Sequence, residues 1–217
     1  MQNNAAEPAL VMQFAKWPEP GRVKTRLMPE LGEQGALAAH IALSLAVLER
    51  LCASGYEVRF LWDRPLPETP EAARPILERI QALGVRQGTQ QGEVLGERME
   101  AALAQGLTEF PKALIVGSDC PSVDPGYVQQ AVHALETADV VLGPSDDGGY
   151  VLIGARVHLP GMLDSISWGT DQALAQTVAR LAEVGLSCAQ LPPRWDVDEP
   201  GDWQRFVDQF PDDCTLT

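Results

Sequence analysis

The chain has 217 residues, 45% of them apolar and 21% charged, and a formal net charge of −14. That length and balance predict one globular domain, 1–217, and exclude a disordered or fibrous chain. The acidic excess argues against general nucleic-acid binding and against attraction to anionic membrane surfaces, so any phosphate site must be local.

The opening segment, MQNNAAEPALVMQFAK, lacks a basic start followed by a long apolar run. No later stretch approaches about eighteen consecutive apolar residues, so the expected location is the cytoplasm. Leu10 to Phe14 reads as a buried parallel strand that stops at Lys16-Trp17-Pro18. Between Glu33 and Ala53 apolar residues recur at helical spacing, and Gly55 supplies the stop. A strand over Val58 to Trp62 follows, then a helix carrying Ile76, Ile80 and Leu83, and a short extended piece near Val85. Leu95, Met99 and Leu103 mark the next helix, Ala113 to Val116 a strand, and Val128, Val132 and Leu135 the helix after it, with Asp124 as its cap. Val140 to Leu142 and Val151 to Ile153 are strands. Leu174, Val178 and Leu181 predict a late helix, Cys188 to Leu191 a late strand, and Trp203 to Phe210 a final helix. This β-then-α alternation predicts a three-layer α/β/α domain with a mostly parallel sheet, whose ligands bind beyond the carboxyl ends of the strands.

Four loops fall at those ends. The first, Lys16 to Leu27, holds Lys16, Arg22, Lys24 and Arg26, a quarter of the chain's 16 cations within eleven residues. With Gly21 and Thr25 beside them, these cations predict a polyphosphate site, although the loop matches neither the dinucleotide nor the Walker pattern. The second is Gly117-Ser118-Asp119-Cys120-Pro121, where Asp119 suits Mg²⁺ or Mn²⁺ held between phosphate oxygens. The third is Ser145-Asp146-Asp147-Gly148-Gly149-Tyr150. Its two acids can orient an acceptor hydroxyl and remove its proton, while an acidic hairpin turn would read the same way. In the fourth, Asp196-Val197-Asp198, the two acids share a strand face, so one or both can complete the metal site. Capping of the last helix by Asp198 is the competing account.

Other residues carry less. His40, His133 and His158 have no partners at triad or metal spacing and read as surface or packing residues. Cys52, Cys120, Cys188 and Cys214 form no metal or redox motif, so free thiols are expected. Trp17 and Trp168 lie beside the loops and read either as stacking platforms or as core filler.

FAKWPEPGRVKTRL, LGERM, GSDCP, GPSDDGGYVLIG, WGT and DVDEPGDW run in order along nearly the whole chain. Together they resemble a bacterial family of the nucleotide-diphospho-sugar transferase superfamily, labelled glycosyltransferase or radical-SAM/selenodomain-associated transferase. The resemblance implies a GT-A fold, a divalent cation at Asp119 with Asp198, and a base pocket at Gln90, Gly92, Leu95 and Gly96. Read from the loops themselves, Lys24 and Asp146 or Asp147 are the catalytic candidates, and Gly148, Gly149, Tyr150 and Trp168 are expected near a small-molecule acceptor. Glycosyl transfer from a nucleotide-sugar is the first expectation. Nucleotidyl transfer with pyrophosphate release is the alternative, because Ser118-Asp119-Cys120 replaces Asp-x-Asp and KTRL is similar to a segment of phospholactate guanylyltransferases. A non-catalytic nucleotide-binding module is the third reading. The residues leave the oligomeric state open.

Overall fold

The computed structural model describes residues 8–215, so the first seven residues of the opening segment read above lie outside the described residues. In chain order the elements are β1 (Leu10–Ala15), α1 (Met28–Ala53), β2 (Glu57–Trp62), α2 (Arg74–Ala82), β3 (Arg86–Thr89), α3 (Leu95–Leu107), β4 (Ala113–Gly117) and α4 (Pro125–Ala134). Then come β5 (Val140–Pro144), β6 (Tyr150–Ala155), α5 (Ala173–Glu183), β7 (Cys188–Gln190) and α6 (Pro200–Gln209). The seven strands form one sheet in the order β3-β2-β1-β4-β6-β5-β7. Every pairing is parallel except those of β6, which runs antiparallel to both β4 and β5.

Alternation along the strands builds the three layers. Val11, Leu114 and Val116 face one side and pack with α1, α2 and α4, whereas Leu10, Met12 and Ile115 face the other and pack with α3 and α5. The far side of α1 is covered too: Leu27, Ala36, Leu43 and Ala46 meet Trp195, Val197 and Phe206. Burial on both sides explains why α1 is apolar all round rather than striped. By length and composition Thr25–Ala53 could cross a membrane, but 72% of its most apolar window is buried inside the protein, where it serves as the central core helix. Its first turn breaks at Gly32, whose φ of 70° lies outside helical space.

After β1 the chain winds outward through β2 and β3, then returns to place β4 on the opposite side of β1. The loops following β1 and β4 therefore diverge, opening a crevice where the strand order reverses. Phe14 pairs with Gly117 at this end, and the Ser118 amide donates to the Phe14 carbonyl at 3.0 Å. Buried Gln13 locks the two strands from below, its Nε2 donating to Ser118 Oγ at 3.0 Å and to the Ser44 carbonyl at 2.9 Å. The crevice thus has a rigid floor.

Candidate functional site

The crevice is a cleft of about 340 Å³ lined by the β1 loop, the ends of β2 and β3, the start of α3 and the β4 loop, a volume that suits a small ligand. Lys16, Arg22, Lys24, Thr25 and Arg26 line it together with Asp119 and Asp198, so the predicted basic loop and the predicted acids converge. Gln90 and Leu95 line it as well, and Arg98, Asp63 and His40 join them.

The shape of the β1 loop follows from its anchors. Trp17 stacks on Trp62 with ring centroids 3.8 Å apart and planes within 5°, and its Nε1 donates to the Arg64 carbonyl at 2.8 Å. Its own amide donates to Asp63 Oδ1 at 3.0 Å, so Trp17 serves the core and the loop's anchorage, not a stacking platform. His40 lies 2.9 Å from the Lys16 carbonyl through Nε2. Burial lowers the His40 pKa to about 4, so the ring is neutral near pH 7 and donates through Nε2. Gly21, at φ 74°, turns the chain, and Val23 and Leu27 anchor the far side.

Lys24 is the hub. Its backbone takes a left-handed conformation, φ 45° and ψ 44°, uncommon for a side chain of this kind. Its side chain is only 7% exposed, and Nζ donates to Asp119 Oδ2 at 2.9 Å, to Asp198 Oδ1 at 3.3 Å and to the Val197 carbonyl. Burial opposes the ammonium charge, but Asp119 and Asp198 outweigh it and hold the Lys24 pKa above its ordinary value. Burial likewise opposes ionisation of Asp119, yet Lys24 draws that pKa down to about 2. Arg26 Nη1 reaches Asp198 Oδ2 at 3.3 Å.

The Asp196-Val197-Asp198 segment docks through the Val197 amide, which donates to the Asp119 carbonyl at 2.9 Å. Val197 is fully buried, and the acids on either side of it turn to the opposite face. Asp198 does not cap α6; Glu199 does, in a reciprocal capping box with Asp202. Carboxylate oxygens of Asp147, Asp196 and Asp198 all lie within 4.8 Å of one another. Burial, followed by the charges of Asp119, Asp198 and Asp147, pushes the Asp196 pKa up to about 7. The acids therefore divide: Asp119 is neutralised by Lys24, while Asp147 joins Asp196 and Asp198 in a group of excess negative charge.

Asp147 is placed by a tight β5–β6 turn. Its Oδ1 accepts from the Gly149 amide at 3.0 Å and from Ser145 Oγ, and Gly148, at φ 86°, lies so close to Asp171 that an added Cβ would stand 2.3 Å from the Asp171 carbonyl oxygen. Asp146 is exposed in the same turn. Tyr150 buries its hydroxyl and meets Trp168 edge-on at 6.1 Å. Trp168 packs on Gly96, where an added Cβ would lie 2.8 Å from its Nε1. Gly21, Gly92 and Gly96 thus support the cleft walls without lining them, and Gly148, Gly149, Tyr150 and Trp168 lie beyond its lining.

Gln90 is buried at the end of β3, with Nε2 donating to the Leu61 carbonyl at 2.9 Å. Leu95 is 43% exposed, a large apolar surface at the cleft. Arg98, which the motif LGERM contained but sequence reasoning passed over, holds the intervening turn by donating to the carbonyls of Gly92 at 3.0 Å and Glu93 at 3.2 Å. Asp63 was also missed, although it directly follows β2 at the ligand-bearing end of the sheet. The four cysteines are free, and burial with the adjacent Asp119 charge pushes the Cys120 thiol well up, which leaves it inert.

Residues 55–170 match a family described as an uncharacterized protein conserved in bacteria, DUF2064. Among curated proteins none matches significantly. A structure from Desulfovibrio desulfuricans G20, provisionally described as a nucleotide-diphospho-sugar transferase, is 30% identical with a TM-score of 0.78, over 88% of this chain and 82% of that one. A nucleotidyl transferase from Methanothermobacter shares the fold at 16% identity and TM-score 0.61, over 95% of this chain and 98% of that one. So does Rv0371c from Mycobacterium tuberculosis H37Rv in complex with manganese, at 16% identity and TM-score 0.54, over 93% and 98%. The architecture is that of nucleotide-diphospho-sugar transferases and nucleotidyltransferases.

Proposed function

This chain belongs to the DUF2064 family of bacterial proteins, and from its likeness to a structure described as a nucleotide-diphospho-sugar transferase and the charges of the cleft we propose that it is a divalent-cation-dependent transferase with a nucleotide donor. The observation that carries the reading is the meeting of a dense cationic loop with Asp119 and Asp198 in the cleft at the switch point of the sheet, with Asp147 and Asp196 gathered beside Asp198. Lys16, Arg22 and Arg26 supply charge for a polyphosphate, with Lys24 at its inner end. Leu95 offers an apolar face for a base, and Gln90, with its amide nitrogen engaged by Leu61, offers a carbonyl oxygen.

The hard oxygen donors of Asp147, Asp196 and Asp198, mutually within 4.8 Å and carrying more acid than Lys24 and Arg26 at Asp198 balance, fit Mg²⁺ or Mn²⁺. When bound, such a cation supplies electrostatic stabilisation to phosphate oxygens as negative charge builds on the leaving group. Asp198 keeps the metal role expected from the motif. Asp119 acts chiefly by holding Lys24, and Asp147 moves from the acceptor side into the cation set. Asp146 remains the acceptor-side residue able to take a proton.

Five cationic side chains, Lys16, Arg22, Lys24, Arg26 and Arg98, line the cleft. They outnumber the lining acids Asp63, Asp119 and Asp198, and Ser118-Asp119-Cys120 stands in place of an Asp-x-Asp motif, so we place nucleotidyl transfer first. An acceptor oxygen attacks the α-phosphorus, the bond to the bridging oxygen breaks, pyrophosphate leaves with the electron pair, and the acceptor proton passes to Asp146. Glycosyl transfer stands as the second reading because the 30%-identical relative is described as a nucleotide-sugar enzyme. The test screens nucleoside triphosphates and nucleotide-sugars, with Mg²⁺, Mn²⁺ or EDTA and a pool of hydroxyl and phosphate acceptors. Cation-dependent pyrophosphate release is the expected result, and nucleoside diphosphate release from a sugar donor selects the second reading. No release, and no rise in melting temperature with any nucleotide, refutes both.

A further inference from the structure

Lys24 stands where a bound cation would compete with it. Its Nζ donates to Asp119 at 2.9 Å and to Asp198 at 3.3 Å. Asp198 is at the same time one of the three acids whose oxygens gather within 4.8 Å. One carboxylate thus serves both the ammonium and the candidate cation set. An ammonium and a divalent cation drawn to the same carboxylate repel each other at a few ångströms, and each weakens the other's hold. Lys24 is also part of the phosphate-facing loop and lines the cleft beside Arg22 and Thr25, so a polyphosphate there can accept the donors that Asp198 gives up.

We propose that Lys24 is a built-in competitor of the divalent cation: it occupies Asp119 and Asp198 in the nucleotide-free protein and yields Asp198 when a polyphosphate takes its ammonium. This rests on the cation site of the preceding section. Cation alone binds weakly, and cation and nucleotide strengthen each other, because a coupling between two ligands acts equally in both directions. The buried ammonium is held by side-chain and carbonyl contacts alone, so exchanging its partners needs no movement of the sheet.

The test is Mn²⁺ binding to the full chain without nucleotide, followed by calorimetry and by the electron paramagnetic resonance of free Mn²⁺, in wild type, Lys24→Met, Lys24→Gln and Lys24→Arg. The uncharged variants are expected to bind Mn²⁺ on the order of tenfold more tightly than wild type. They should melt lower in EDTA and gain more in melting temperature from Mn²⁺, whereas Lys24→Arg, which keeps the charge, should bind as weakly as wild type. Equal or weaker Mn²⁺ binding by both uncharged variants overturns the competitor role while leaving the cation site standing. Tight binding by Lys24→Arg also overturns it, since charge would not be the cause. Absence of Mn²⁺ binding in every protein sinks the cation site and this inference with it.

Discussion

Replacing Asp196 by Asn is expected to stabilise the metal-free protein at pH 8 and to change it little at pH 4. The Asp196 carboxyl is partly buried, and burial followed by the charges of Asp119, Asp198 and Asp147 raises its pKa from 3.8 to about 7. A carboxyl raised in the folded state keeps its proton after the unfolded chain has lost it. Its stabilising contribution is therefore complete below pH 3.8, declines as pH rises, and is lost through pH 7. A rise of about three pH units at about 1.4 kcal/mol each sets a ceiling near 4 kcal/mol. Solvent access to the site reduces that to about 1–2 kcal/mol, or about 3–6 °C in melting temperature for a chain of this size. The assay is a thermal melt of both proteins in EDTA at pH 4, 6 and 8. Comparison at equal pH cancels His40, whose lowered pKa of about 4 makes it lose stability in the opposite direction, as pH falls below 6.5. Saturating Mn²⁺ at pH 8 should reverse the order, because wild type gains a ligand that Asn cannot supply. A variant no more stable than wild type at pH 8 in EDTA would show that the Asp196 carboxyl is not raised by its neighbours.

Trp17→Ala should cost about 3–5 kcal/mol in denaturant unfolding, because the stack on Trp62 and the bond to Arg64 are both lost; a cost under about 1 kcal/mol would contradict a packing role. Gly148→Ala forces a Cβ to within 2.3 Å of the Asp171 carbonyl oxygen at φ 86°. It should displace Asp147 and weaken Mn²⁺ binding by about tenfold, read by titration, with a stability loss of about 1–3 kcal/mol. Arg22, 66% exposed and 3.7 Å from Glu19, contributes little to the fold. Arg22→Gln should leave stability within about 0.5 kcal/mol while weakening nucleoside triphosphate binding about fivefold to tenfold, measured by calorimetry.

Much of this arrangement was legible in the residues. The alternation of short apolar runs with helical spacing marks the layers, and Asp124 caps α4 as its position before Val128 indicated. The loop cations and the acids at 119 and 198 meet in one cleft because a parallel sheet gathers its loops at one end. What pattern could not supply is spatial. The antiparallel course of β6 leaves no mark, since a buried strand reads as an apolar run in either direction. Helical spacing from Glu33 missed the first turn of α1 because Gly32 interrupts it. Trp17 sits in a charged loop by sequence, yet its ring turns inward onto Trp62, a pairing 45 residues apart that no local rule anticipates. That Asp147 meets Asp196 and Asp198 depends on the β5–β6 turn, which residue spacing does not place. The neutralisation of Asp119 by Lys24 depends on a left-handed backbone at Lys24, a conformation that composition does not signal.

Under the proposed function, polyphosphate and divalent cation share the space between the β1 loop and the clustered acids. Anomalous scattering from crystals grown with Mn²⁺ and a non-hydrolysable nucleoside triphosphate tests it most directly. A manganese peak bonded to oxygens of Asp147, Asp196 and Asp198 is expected, with phosphates reaching Arg22 and Lys24. A manganese peak remote from those acids, or a triphosphate bound away from the β1 loop, would contradict it.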